Sequence, residues 1–159
     1  MHDFVAEDLK QFMRSFPQGV TLVTTSKEGS LLGITISSFT SISMEPPLIM
    51  IAISRDATSY NDFANCKVFN VQLLSEKQEA VAMKFATKIS HDSKFRDLQF
   101  SLDSQNNPVI ADTLANLLCS RYQTYQAGDH SLILGKVENS TVSRDSLPLV
   151  YYKRCIRCF

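Results

Sequence analysis

Six hydroxyl side chains fall between Gly33 and Ser43: Thr35, Ser37, Ser38, Thr40, Ser41 and Ser43. A hydroxyl both donates and accepts, so such a cluster suits a ligand with a flat polar edge and many acceptors. Thr35 and Ser37 stand two apart, which on a strand puts both on one face. The other reading of the same residues is a solvated sheet face running into a Ser/Thr-rich turn.

Three further clusters carry possible chemistry. Ser54-Arg-Asp-Ala-Thr-Ser59 follows an apolar strand pattern and leads into a short helical one. A helix N-terminus offers free N–H groups and a positive dipole end, so Ser54, Thr58 and Ser59, with Arg55, form a candidate phosphate seat. A capped surface helix is the alternative. Gly128-Asp129-His130 sets an imidazole at a strand start beside a turn. It could lie over a ligand, or it could be a turn histidine bonded to Asp129. Met83-Lys84-Phe85-Ala86 closes a helical pattern. There Lys84 could supply charge to a phosphate, while Phe85 has the spacing of a core residue.

Other chemistries lack their residues. There is no G-x-G-x-x-G, no G-x-x-x-x-G-K-[ST] and no G-x-S-x-G, so the usual dinucleotide cradle, P-loop and nucleophile elbow are missing. The 3 His residues show no metal spacing. Of the 4 cysteines, Cys66 and Cys119 lie in apolar runs and read as buried thiols. Cys155 and Cys158 form a C-x-x-C near the end of the chain, without the second pair a zinc site needs. We read that pair as structurally incidental, with a disulfide as the alternative.

Elements must position these clusters. Val5, Leu9, Phe12, Met13 and Phe16 follow helical spacing, with Asp3 as N-cap and Pro17 as the stop. Strands are expected at Val20–Thr25, Leu31–Ser38 and Leu48–Ile53, the last buried on both faces because it is almost wholly apolar. Lys27-Glu28-Gly29 is a hairpin turn. A short helix over Thr58–Asn65 precedes a strand at Val68–Leu74. Ser75-Glu-Lys-Gln78 is a capping box for a helix to about Phe85. Ile89–Asn107 reads as loop with short ordered pieces. Long strands are expected at Leu114–Gln126 and Ser131–Val142, and a last one at Leu149–Tyr152. Many strands joined by short turns point to an antiparallel barrel with helices outside.

The 159 residues carry 16 basic and 16 acidic side chains, a balance that argues against a nucleic-acid partner or an anionic membrane surface. Ten Phe and an apolar fraction of 44% argue against disorder. The expectation is one domain over 1–159. With no leader pattern and no apolar run of about 20 residues, a cytoplasmic location is expected.

In this order, the pieces resemble the flavin reductase family, the FMN-binding split-barrel reductases of two-component flavin-dependent monooxygenases. The matching segments are Phe16-Pro-Gln-Gly-Val20-Thr21, Gly33-Ile-Thr35-Ile-Ser37-Ser38-Phe39, Ser43-Met-Glu-Pro46-Pro47-Leu48, Phe69-Asn-Val71, Lys84-Phe85-Ala86, Gly128-Asp129-His130, Gly135-Lys-Val137 and Pro148-Leu-Val-Tyr151. They run through nearly the whole chain. Two places depart from the pattern. Lys153-Arg154-Cys155 stands where many members carry a glycine, and Ser37 where some carry asparagine.

The resemblance implies a mainly β antiparallel split barrel with a few peripheral helices, and a homodimer with two flavin sites near its interface. It implies hydride transfer from NADH or NADPH to FMN, with FAD possible, and delivery of reduced flavin to a monooxygenase partner. Thr35, Ser37 and Ser38 would line the isoalloxazine and ribityl chain. Ser54, Thr58 and Ser59 would hold the ribityl and phosphate end. Lys84 and Phe85 would close the flavin site, His130 would position the nicotinamide, and Tyr151 would border the same pocket. A tightly FMN-bound electron carrier without its own NAD(P)H turnover is the alternative, and a non-catalytic binding barrel a third.

Overall fold

The computed structural model describes residues 2–143 and 146–157, and only the backbone at 2–4 and 157. The chain runs α1 (His2–Arg14), β1 (Gln18–Gly19), β2 (Thr21–Lys27), β3 (Ser30–Ile36), β4 (Thr40–Met44), β5 (Pro47–Ser54), α2 (Tyr60–Asn65) and β6 (Val68–Leu73). A 3-10 turn at Glu76–Gln78 leads into α3 (Glu79–Ala86) and α4 (His91–Phe95). Then follow β7 (Phe100–Leu102), β8 (Pro108–Ile110), β9 (Ala115–Ala127), β10 (His130–Val142), β11 (Val150–Tyr152) and β12 (Cys155–Arg157).

Seven strands form one antiparallel sheet in the order β3-β2-β6-β9-β10-β5-β4. Its two edges, β3 and β4, are consecutive in the chain and are joined by Ser37, Ser38 and Phe39 alone. Four Cα steps reach at most about 14 Å, so the sheet must curl until its edges nearly meet. No ladder between β3 and β4 closes it among the described residues. The result is a split barrel, with the hydroxyl cluster spanning the split.

Two cores lie on opposite faces of the sheet. Inside the curl, Val23, Ile49, Ile51, Ile53, Phe63, Phe69 and Ile133 are buried together. Outside it, Val20, Leu22, Leu74, Ala82, Phe85 and Phe95 pack between sheet and helices. Strand β2 serves both cores and is buried on both faces from Thr21 to Thr25. The sequence pattern assigned that role to β5. There Ile49, Ile51 and Ile53 point inward, and on the other face Leu48 is buried while Met50, Ala52 and Ser54 are half-buried.

Thr24 and Gln72 are buried polar residues, and each is bonded. Gln72 Nε2 donates to Thr24 Oγ1 at 2.9 Å and to the Pro108 carbonyl at 3.2 Å, and its Oε1 accepts from the Ile110 amide at 2.6 Å. This network ties β8 to β2 and β6.

Other elements differ from the sequence reading in part. β4 is a strand where a Ser/Thr-rich turn was the alternative. Helix α1 includes Asp3, so that residue does not cap it. Its apolar face is present, but Val5, Leu9 and Phe12, like Phe16 two residues past its end, are each more than half exposed. The Ser75–Gln78 capping box forms as expected. A three-stranded sheet, β1-β11-β12, docks beside the barrel. Cys158 lies outside the described residues. None of the described helices is long and apolar enough to cross a membrane.

Candidate functional site

A cavity of about 630 Å³ opens between the outer face of β3, helix α3 and the β11–β12 hairpin. Thr35 and Ser37 line one wall, Ala82, Met83 and Ala86 a second, and Tyr151, Arg154, Cys155 and Ile156 a third. Val20 and Ile36 add apolar surface, and Glu79 is the acidic lining residue. A smaller cavity of about 440 Å³ adjoins it, lined by Phe16, Gly19, Ser37, Ser38, Phe39 and Ala52 among others. Ser37 belongs to both. The larger volume is in the range of cofactor sites, and apolar walls with a few hydroxyls fit a flat aromatic ring with polar edges. A second groove of about 630 Å³, by Gln78, Asp112 and Ser146, holds none of the candidate residues.

The hydroxyls are held differently. Thr35 Oγ1 donates to the Ala82 carbonyl at 2.7 Å, which fixes its lone pairs relative to α3. Ser38 Oγ donates to the Ala52 carbonyl at 2.7 Å and accepts from the Ala52 amide at 3.2 Å. Ser38 therefore continues the β4–β5 ladder with its side chain, since Thr40 stands opposite Met50 in that ladder. Ser37 makes no hydrogen bond to the described residues and faces the wall shared by both cavities. It is the hydroxyl of the three most available to a ligand.

Phe85 is not at a cavity wall. Its ring is 1% exposed and meets Phe95 edge-on at 5.0 Å. A side chain at Gly33 would place its Cβ 2.3 Å from that ring. Phe85 is therefore the floor beneath β3, the core reading that its spacing allowed. Lys84 Nζ donates to the Arg96 carbonyl at 2.6 Å, which ties α3 to the end of α4.

Ser54, Thr58, Ser59 and His130 form a separate group. Ser54 stands opposite His130 in the β5–β10 ladder. Arg55 binds the same corner: its guanidinium donates to the Gly128 carbonyl at 2.8 Å and its amide to the Asp129 carbonyl at 2.9 Å. His130 Nδ1 lies 2.7 Å from Asp129 Oδ1, and that bond with the imidazole holds the Asp129 carboxyl below the usual range. Ser59 is buried at the start of α2, without a side-chain cap bond, and Thr58 is exposed. With six residues, α2 is a weak dipole. The resemblance implied that Tyr151 borders the same pocket as His130. The structure instead puts Tyr151 on β11, opposite Gln18 and in the large cavity, and His130 lines neither cavity.

Arg154 and Glu79 were not among the sequence candidates, Met83 was noted only as part of the Met83–Ala86 cluster, and Cys155 was read as structurally incidental. The two-residue turn Lys153-Arg154 hides the hairpin that brings in Arg154 and Cys155, because it lacks the Asn-Gly or Gly-Gly signal of such turns. Cys155 is an exposed free thiol in the cavity wall. Burial pushes the thiols of Cys66 and Cys119 up to about 11 and about 12, so both are inert at neutral pH, as the sequence suggested.

Comparison with known proteins places this geometry. A family model described as "Flavin reductase like domain" matches residues 13–157. The reductase component of the flavin-dependent trigonelline monooxygenase of Acinetobacter baylyi is 37% identical over 147 residues, 92% of this chain and 46% of that protein. The chain thus spans about half the length of that relative. The FMN reductase (NADH) SmoA of Agrobacterium fabrum is 30% identical over 146 residues, 92% of this chain and 82% of that protein. Among solved structures, the NADH:FAD oxidoreductase SgcE6 of Streptomyces globisporus, in complex with NAD and FAD fragments, superposes with a TM-score of 0.90. It is 30% identical, and the match covers 97% of this chain and 92% of that one.

Proposed function

The chain belongs to the flavin reductase like domain family, and from that membership we propose that it is an NAD(P)H:flavin oxidoreductase that reduces FMN or FAD and supplies the reduced flavin to a partner monooxygenase. The observation that carries the reading is the cavity at the barrel split, with apolar walls and hydroxyls at one edge. When bound, the flavin supplies a ring that accepts a hydride from the nicotinamide, so what the chain must do is hold two rings face to face. That task needs no acid–base pair.

In this proposal Ser37 and Thr35 bind the polar edge of the flavin and Tyr151 borders it from the opposite wall. Ser38 holds the connector on Ala52, and so sets where Ser37 points. Phe85 supports the floor through Gly33, and Lys84 fixes α3 against α4. Strand β5 carries Ser54 about 7 Å beyond Ala52 on the same face, toward Thr58, Ser59 and His130. The first three are assigned to the ribityl and phosphate end, and His130 to the nicotinamide.

A homodimer belongs to the same reading. The exposed apolar residues of α1, and Ile42 and Met44 on the sheet edge, support it as surface that a second copy would cover. A cytoplasmic location and a monooxygenase partner complete the proposal. The test is titration of the purified protein with FMN, read by flavin fluorescence, followed by gel filtration and addition of NADH. Saturable quenching with NADH-driven bleaching of the flavin is expected. Yellow colour retained through the column without bleaching would replace the reductase with an electron carrier, and no quenching would leave a barrel of other function.

A further inference from the structure

We propose that Arg154 is the phosphate-binding residue of the large cavity, an inference that rests on the flavin reductase reading. The ligand chemistry is a phosphate ester; the nicotinamide nucleotide as its source keeps Ser54, Thr58 and Ser59 as the flavin's phosphate seat, whereas the flavin as its source would replace that seat with Arg154.

The backbone is the first observation. Lys153 and Arg154 close the β11–β12 hairpin with φ of 49° and 64°. Both lie in the left-handed region, which costs a residue with a Cβ and favours Gly or Asn. A two-residue hairpin turn of this kind requires φ above zero at both positions, so the turn itself sets this backbone and glycine would stand there at no steric cost.

The two side chains differ in what they do. Lys153 is accounted for by the fold: its ammonium sits 5.2 Å from the Tyr152 ring centroid, and its amide donates to the Arg14 carbonyl at 3.0 Å. Arg154 makes no hydrogen bond or ion pair with the described residues, yet it lines the cavity. It is the cation among the lining residues, which also include Thr35 and Ser37. The anion in the same lining, Glu79, forms no ion pair with it. A free guanidinium fork in a cavity that also holds the unpaired Ser37 hydroxyl is the arrangement that binds a phosphate through two parallel N–H···O bonds.

The test compares wild type, Arg154→Gly and Arg154→Lys for binding of riboflavin and FMN, read by fluorescence, and for the KM of NADH and NADPH. If the flavin phosphate is the ligand, Arg154→Gly weakens FMN roughly tenfold and leaves riboflavin unchanged. If the nucleotide phosphate is the ligand, both flavins bind as before and the KM of NADH or NADPH rises about tenfold. In either case Arg154→Lys recovers part of the loss, because it keeps the charge without the fork. Arg154→Gly also melts no lower than wild type, because glycine accepts that backbone without strain. A merely structural role would lower the melting temperature and leave every binding constant alone. That outcome, or equal weakening of riboflavin and FMN, overturns the proposal. Wild type that neither binds FMN nor oxidises NADH removes the reductase reading and this inference together. An active wild type matched in all constants by Arg154→Gly removes the inference alone.

Discussion

The hydroxyl of Ser38 donates to the carbonyl of Ala52 at 2.7 Å and accepts from the amide of the same residue at 3.2 Å. One side chain thus does the work of a strand partner at the point where the chain crosses from one edge of the sheet to the other. The neighbouring hydroxyl, Ser37, is left to the two cavities.

This division of labour predicts opposite outcomes for neighbouring substitutions. Ser38→Ala leaves two backbone groups of Ala52 without that partner and should cost about 1–3 kcal/mol in urea unfolding. Ser37→Ala removes a hydroxyl with no intramolecular partner and should stay within about 0.5 kcal/mol of wild type. FMN affinity should fall in Ser37→Ala. Equal stability of the two variants would contradict the assignment of Ser38 as the anchor.

Gly33 faces the Phe85 ring so closely that an added Cβ would lie 2.3 Å from it. Gly33→Ala must push that ring or bend β3, and overpacking of this kind costs roughly 1–3 kcal/mol. Combining it with Phe85→Leu should give less than the sum of the two losses, because the smaller side chain makes room. Strict additivity in the double-mutant cycle would mean that the two residues do not support each other.

The Gly33 amide donates to His91 Nδ1 at 3.4 Å, a bond that requires the neutral imidazole. Burial lowers the His91 pKa below its ordinary 6.5, and Lys94 lowers it further against the pull of Asp62 and Asp92. The unfolded chain therefore binds this proton more readily than the folded one. Stability from this source is complete above about 6.5 and is lost as pH falls through the lower folded pKa. His91→Gln, which does not titrate, should lose less stability than wild type between pH 7.5 and pH 5. Parallel losses in the two proteins would exclude His91 as a source of acid sensitivity.

His130 is held by Asp129 at 2.7 Å in an exposed corner and lines neither cavity at the barrel split. If it positions the nicotinamide, His130→Ala should lower NADH turnover roughly tenfold through lost orientation. The FMN dissociation constant should stay within about twofold. Equal losses in turnover and FMN binding would move His130 to the flavin.

Much of this architecture is legible in the residues. The β-branched run Val20–Thr25, the alternation in Leu31–Ser38 and the Lys27-Glu28-Gly29 turn mark a hairpin that forms, with its second strand ending at Ile36 rather than Ser38. The long β9–β10 hairpin follows from Gly128-Asp129. The Thr35–Ser37–Ser38 cluster stands at the barrel split because the chain must cross there. Contacts between distant segments are not legible. Nothing local says that Arg55 reaches Gly128, that Gln72 bonds Pro108, or that Arg154 lines the same cavity as Ser37. Strand β12 is hidden by its turn of two charged residues, and β4 by hydroxyls that suit a turn as well as a strand. Phe85 shows the converse case: its spacing marked a core residue, and the resemblance drew it toward the ligand.

The central claim is tested most directly by NADH oxidation with purified protein in air, followed optically with and without added FMN. The account predicts turnover that saturates with FMN and is absent without it. NADH consumption that ignores FMN, or none at any FMN concentration in protein that binds it, would contradict the account.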